Sequence, residues 1–347
     1  MWRPAILHGL LLVLALATAA YVETGTRRYN QLSAEGASHA LAYEIGDHTG
    51  EVVFIGSSLA GRAFIPQCLD EALAKRSVDC HSYILWLPRA VMPTYYTLVR
   101  DLVIRRGRPR LVVLCLGPRE CNGNLRFTED LCASTFPSVS DASRLLTYQP
   151  WRRRGLAWYA LARPARVLPG LLSRPLWERL ILADVRRAGA GYSYDPQRPG
   201  DIERLNRKRK QLPPKGKEEE EYRASLARRR AQMAGFGFGD FPEWFALTVG
   251  LAKAHGIPVA VCVMGVSDRA RADLQGGMLA ETSRRLELWA RERGLPFWVL
   301  TNINPRLADS KAYMDVDHCL PQTAIENSRA LAAGPLGEWL LAQTARR

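Results

Sequence analysis

Two short segments, far apart in the chain, hold the residue types for acyl transfer. Ser58 stands in Gly56-Ser57-Ser58-Leu59-Ala60-Gly61, and His318 ends the run Tyr313-Met314-Asp315-Val316-Asp317-His318. A serine hydroxyl becomes a nucleophile when an imidazole takes its proton, and a carboxylate on the other ring nitrogen fixes the imidazole's tautomer. Asp315, three residues before His318, can supply that carboxylate from the same loop, with Asp317 as the competing choice. Each piece also has a plainer use. A serine at a helix start is a cap, and Asp-x-x-His can be a surface turn or part of a metal site. The serine motif is not the Gly-x-Ser-x-Gly elbow, because position 60 is Ala.

Chemistry at these segments requires elements that bring them together. Five short apolar runs read as strands: Glu51–Ile55, His81–Leu85, Arg110–Leu116, Ile257–Met264 and Pro296–Leu300. They lack clean alternation, as expected of strands covered on both faces. Helical stretches lie between them at Pro66–Lys75, Thr94–Arg106, Pro242–His255 and Leu274–Arg293, with a last one from Gln322 to Ala342. Gly107, Gly256 and Gly294 follow three of these as stop signals. Strand–helix alternation predicts a parallel five-stranded sheet in a three-layer α/β/α sandwich, SGNH- or flavodoxin-like, with a long, mainly helical insertion. In such a sheet ligands bind outside the carboxyl ends of the strands. Ser58 follows the first strand and His318 the last, so both are expected over the same edge.

These residues resemble the SGNH (GDSL-like) hydrolase superfamily. The likeness is to its membrane-anchored or exported branch, which includes proteins of cell-surface polysaccharide O-acetylation and of D-alanyl transfer. It covers about residues 50–125 and 255–340. It implies Ser58 as nucleophile, His318 as general base and Asp315 as the orienting carboxylate. Ser57 stands where the commoner family sequence has Asp. The resemblance also places a Gly and an Asn after the third strand, the Asn donating to the oxyanion. The run here is Gly117-Pro118-Arg119-Glu120-Cys121-Asn122-Gly123-Asn124, so Asn122 and Asn124 qualify, with Asn122 preferred. Gly56 joins the oxyanion group, and Arg119 adds positive charge or holds an anionic substrate group. The family's Gly after the second strand has no counterpart in Trp86-Leu87-Pro88-Arg89-Ala90-Val91-Met92-Pro93.

The organisation expected is an N-terminal signal-anchor or signal peptide at 1–25, a stem at 26–48 and a catalytic domain split between 49–133 and 241–347. An insertion at 134–240 divides it, as a lid or docking surface. From Pro4 to Val22 there is no charged residue, after Arg3 and before Arg27 and Arg28. That layout predicts a membrane-anchored protein with a periplasmic or extracellular domain, or a secreted one after cleavage. With 48 Lys+Arg against 34 Asp+Glu the net charge is +14, much of it around Arg152–Arg154 and Arg207–Lys210 of the insertion. Export makes nucleic acid the poorest partner for that charge, leaving an anionic polymer or membrane. An exported chain with 7 Cys should hold a disulfide; Cys68/Cys80 and Cys121/Cys132 are the local candidates. Gly235-Phe236-Gly237-Phe238-Gly239 lacks the context of a phosphate loop and reads as a hinge before a helix capped by Asp240. No pattern asks for a cofactor or a metal.

The function expected is an exported serine esterase or O-acyltransferase acting through acyl-Ser58 on an O-acylated envelope or extracellular glycan. The chain would work at the membrane and beside the envelope polysaccharide machinery. The alternative is a weak or inactive glycan-binding or scaffold protein of the same fold. A lipid-directed esterase and a metal-dependent hydrolase using Asp315, Asp317 and His318 are further readings.

Overall fold

The computed structural model describes residues 8–15, 17–18, 51–86, 90–104, 107–123, 216–274 and 276–345. Five strands form one parallel sheet in the order β2-β1-β3-β4-β5. They are β1 (Glu51–Gly56), β2 (His81–Trp86), β3 (Leu111–Leu116), β4 (Val259–Val263) and β5 (Phe297–Val299). Because successive side chains alternate between faces, each apolar strand feeds two cores. Val53, Ile55, Val112, Leu114 and Val261 pack on one side against α3 (Met92–Leu98), α5 (Phe241–Ala254) and α7 (Gly276–Glu292), through Tyr95, Trp244, Phe245 and Leu286. Val52, Phe54, Val113 and Cys262 face the other side. There they meet α1 (Ser58–Ala63), α2 (Pro66–Ala74), α9 (Pro321–Ala333) and α10 (Pro335–Thr344). The result is a three-layer α/β/α sandwich. Each fully buried aliphatic or Phe side chain contributes about 1.5–3 kcal/mol of transfer free energy to it.

Sheet order fixes where a site can form. From β1 the chain steps outward to β2, then returns past β1 to β3 and continues the other way. Right-handed crossovers on the two halves put their helices on opposite faces, opening a crevice between the carboxyl ends of β1 and β3. The loop carrying Ser58 leaves β1 at that switch point, and the loop carrying Arg119 and Asn122 leaves β3.

Several elements differ from the sequence expectation. The helix expected over Thr94–Arg106 is α3 running into a single π-helical turn, Val99–Val103. The stretch expected over Leu274–Arg293 is α7, and a short helix not expected from the sequence, α6 (Asp268–Asp273), precedes it. The terminal helix breaks at Gly334-Pro335 into α9 and α10, since Pro335 lacks an N–H and excludes helical backbone at the residue before it. β5 is only three residues long and passes directly into a helical turn, α8 (Leu300–Ile303). Of the insertion, α4 (Glu218–Met233) and the glycine-rich run after it are described; Arg152–Arg154 and Arg207–Lys210 lie outside the described residues.

The Cys68/Cys80 pairing is corrected: both thiols are free. Cys68 packs with Ile65, Ala324 and Ile325, whereas Cys80 belongs to the sheet core, so a bond would have to join two separate clusters. Cys121 is also a buried free thiol, and Cys132 lies outside the described residues. At the N-terminus, residues 8–15 are helical and Leu10–Leu14 are 54–64% exposed. Among the described residues no helix is long and apolar enough to cross a membrane. The rest of 1–50, including the expected stem, lies outside them.

Candidate active site

The turn after β1 separates two serines with different work. Ser57 is the N-cap of α1, its Oγ accepting from Leu59 N at 3.2 Å. Capping is thereby done one residue early, and Ser58 begins the helix with its hydroxyl free to face outward. A side chain at position 56 would meet Ala60 Cβ at 2.3 Å and Cys115 Cβ at 3.2 Å, so Gly56 lets α1 lie close against β1 and β3. That is a packing role for Gly56, beside the oxyanion role expected of it.

The loop before α9 is built around Asp315. An antiparallel bridge between Tyr313 and Cys319 closes it, with Met314 N donating to His318 O at 2.7 Å. Inside, Asp315 Oδ1 accepts from Asp317 N at 3.1 Å and from His318 N at 2.9 Å, the Asx-type bonding that suits a short acidic side chain to a tight loop. The same carboxylate reaches the His318 ring, with Oδ2 2.8 Å from Nδ1. The other ring nitrogen, Nε2, lies 2.9 Å from Ser58 Oγ. Thus residues from the first and last strand loops, 260 positions apart, form a continuous Ser–His–Asp chain. Its geometry suits transfer of the serine proton to Nε2 while Nδ1–H stays on the carboxylate.

Electrostatics follow from this arrangement. Burial pushes the Asp315 carboxyl up, but hydrogen bonds and charge from His318 outweigh it and hold the group at about 2. For His318, burial works against the charged ring, yet the Asp315 hydrogen bond and the nearby Asp317 and Asp315 charges raise its pKa above the ordinary value. Arg229 opposes them.

Ser58, Asp315 and His318 line a cavity of about 350 Å³, together with Arg62, Arg119, Ser225, Arg228, Arg229, Gln232 and Met314. Arg119 from the β3 loop is 4% exposed. It donates to Glu120 Oε1 at 2.7 Å and to Ala90 O at 3.1 Å. Burial alone would raise Glu120, but Arg119, Arg229 and a hydrogen bond from Ser57 lower it. Ser57 thus serves a buried carboxylate where an Asp would repel one. Asn122 is not brought to the cavity. Its amide donates to Gln232 O at 2.9 Å and accepts from Gly237 N at 3.3 Å, tying the β3 loop to the end of α4. Gly123 lies so close to Phe238 that a Cβ would stand 2.2 Å from that carbonyl oxygen. The glycine-rich run is therefore a close chain crossing ahead of α5. Asn124 lies outside the described residues, as do 87–89 of the second-strand loop.

The wall supplied by α4 is what the sequence reading missed. Tyr222, Leu226, Ala270, Leu274, Leu279 and Val316 form a small core beneath it. Tyr222 Oη donates to Asp273 at 2.7 Å, and Arg269 pairs with Glu219. Arg229, on the same face, forms a buried ion pair with Asp317 Oδ2. The signal was present: Tyr222, Leu226 and Met233 recur at helical spacing, and Arg229 falls within that stripe. Reading the insertion's charge as a surface for an anionic polymer or membrane hid it.

Asp315, Asp317 and His318 also offer ligand atoms within 4.8 Å of one another. Arg229 already supplies the positive charge on Asp317, and His318 Nδ1 is turned to Asp315, so two of the three donors are engaged and the set does not fit a metal centre. No protein-family model and no curated protein sequence matches the chain.

Proposed function

We propose that the protein is an SGNH-type serine esterase or O-acyltransferase, exported and acting on an O-acylated envelope or extracellular glycan. The observation that carries this reading is the Ser58–His318–Asp315 chain, with contacts of 2.9 and 2.8 Å, opening into one cavity. Ser58 Oγ gives its proton to His318 Nε2 and bonds to the acyl carbonyl carbon. The tetrahedral intermediate collapses as His318 returns the proton to the departing glycan oxygen, leaving acyl-Ser58. Water or a second hydroxyl then attacks the acyl carbon as His318 takes its proton; the acyl–Oγ bond breaks and His318 returns the proton to Ser58 Oγ. Charge developing on the carbonyl oxygen faces a wall carrying Arg62, Arg119, Arg228 and Arg229.

A fluorophosphonate probe tests the reading. Wild type should be labelled and Ser58→Ala should not; undiminished labelling of Ser58→Ala would sink the assignment. One observation favours the second reading, a catalytically weak glycan-binding or scaffold protein: Asn122 is committed to α4 and not to the cavity. An ectodomain that binds acylated glycan yet never labels would favour it.

A further inference from the structure

Two carboxylates compete for one imidazole nitrogen. His318 Nδ1 is 2.8 Å from Asp315 Oδ2 and 3.5 Å from Asp317 Oδ1. Asp317 is the more deeply buried, its side chain 5% exposed, and its Oδ1 accepts no hydrogen bond. A lone buried carboxylate is costly and takes the nearest available cation. Here that cation is Arg229, which comes from α4 of the insertion, holds Asp317 Oδ2, and is itself braced by a 2.8 Å bond from Nη1 to Gln232 Oε1.

We propose that Arg229 is a positioning residue: by binding Asp317 it keeps the second carboxylate off His318, so that Asp315 alone orients the ring toward Ser58. Without Arg229, the closest cation for Asp317 is the His318 imidazolium. Asp317 would then draw Nδ1–H toward itself, rotate the ring off Ser58 Oγ and stabilise the protonated, catalytically useless form. The remaining charged groups around the ring are Arg62 on α1, Arg119 and Glu120 after β3, and Arg228 on α4. Arg119 and Glu120 neutralise each other, and Arg228 is exposed. Cys319, next along the loop, is kept a neutral thiol by burial, its pKa pushed up to about 12. None of these replaces Arg229 against Asp317. The insertion therefore completes the site as well as covering it.

The inference rests on the proposed role of His318, so its test is a titration that needs no substrate. The His318 ring is followed by NMR in the full chain, its resonances identified by their loss in His318→Gln. Arg229→Met should raise the His318 pKa by about 1 unit, the size expected when a nearby charge is unmasked. The double variant Arg229→Met/Asp317→Asn, which leaves no unpaired carboxylate, should bring it back. If Arg229→Met is too unstable to titrate, the double variant is compared with Asp317→Asn alone: only the direct charge of Arg229 on the ring is then lost, so the His318 pKa should rise by well under the roughly 1 unit expected of Arg229→Met. An unmoved pKa in Arg229→Met, or a shift that persists in the double variant, overturns the proposal. Fluorophosphonate labelling of the same proteins separates the two claims. A wild type that fails to label counts against the esterase reading, whereas the titration alone judges Arg229.

Discussion

Replacing Asp315 by Asn removes one charge and almost no volume. The amide Oδ1 can still accept from the backbone N–H groups of Asp317 and His318, at 3.1 and 2.9 Å in the parent, so the loop should hold. The position of Oδ2, 2.8 Å from His318 Nδ1, becomes an NH₂ group. Two N–H donors cannot face each other, so the ring carries its proton on Nε2, the nitrogen 2.9 Å from Ser58 Oγ. A protonated Nε2 cannot take the serine proton. The loss expected from forcing the wrong tautomer is about 10³–10⁴-fold in turnover, or about 4–5.5 kcal/mol of transition-state stabilisation. The assay is hydrolysis of 4-nitrophenyl acetate alongside the rate of fluorophosphonate labelling, with circular dichroism and melting temperature as controls on folding. His318 must be neutral to act, and its pKa is raised, so wild-type kcat/KM should climb with pH through a midpoint above the ordinary value of about 6.5. In Asp315→Asn the supporting charge is gone and the midpoint should move to lower pH. A folded Asp315→Asn protein within tenfold of wild type, with an unmoved midpoint, would refute the reasoning.

Other outcomes follow from the same contacts. Asn122→Ala should destabilise the fold by about 1–3 kcal/mol, by leaving the carbonyl of Gln232 and the N–H of Gly237 without their side-chain partner, while labelling of Ser58 changes less than tenfold; thermal melts and labelling rates check both. Gly56→Ala drives a methyl group to 2.3 Å from Ala60 Cβ, so α1 must shift; a lower melting temperature and slower labelling should appear together. Glu120→Gln leaves Arg119 a buried charge without its counterion, and chemical denaturation should show a loss of about 3–5 kcal/mol. Glu120 and Asp315 both have lowered pKa values in the fold. Their contribution is present above the ordinary carboxylate range and is lost as pH falls through the folded values, so wild-type stability should drop on acidification below about pH 4.

How far the sequence could be read depends on how local each feature is. β1, β3 and β4 were legible because strands buried on both faces read as unbroken apolar runs, and Val52–Ile55 shows this with 0% exposure throughout. The division of the last helix was also written in the chain, as Gly334-Pro335, and was passed over because apolar spacing continues across it. Ser58 could be found because it directly follows β1, and Asp315 and His318 because they lie in the connection from β5 to α9, so that the α/β topology brings the two segments to the same edge of the sheet. Arg229 could not be found that way. Its place depends on α4 docking through Tyr222 and Leu226 onto α6 and the Asp315 loop, a contact between segments some ninety residues apart in sequence. Asn122 fails for the converse reason. Its type suited an oxyanion donor, but the chain crossing at Gly123 and Phe238 turns it toward α4.

The central claim is that Ser58 carries the acyl group, and mass spectrometry of a trapped acyl-enzyme tests it most directly. After brief exposure to an activated acetyl ester and acid quench, the peptide containing Ser58 should gain the mass of one acetyl group. That adduct should be absent in Ser58→Ala and form far more slowly in His318→Gln. Acetylation elsewhere with Ser58 unmodified, or an adduct that forms equally fast without His318, would contradict the account.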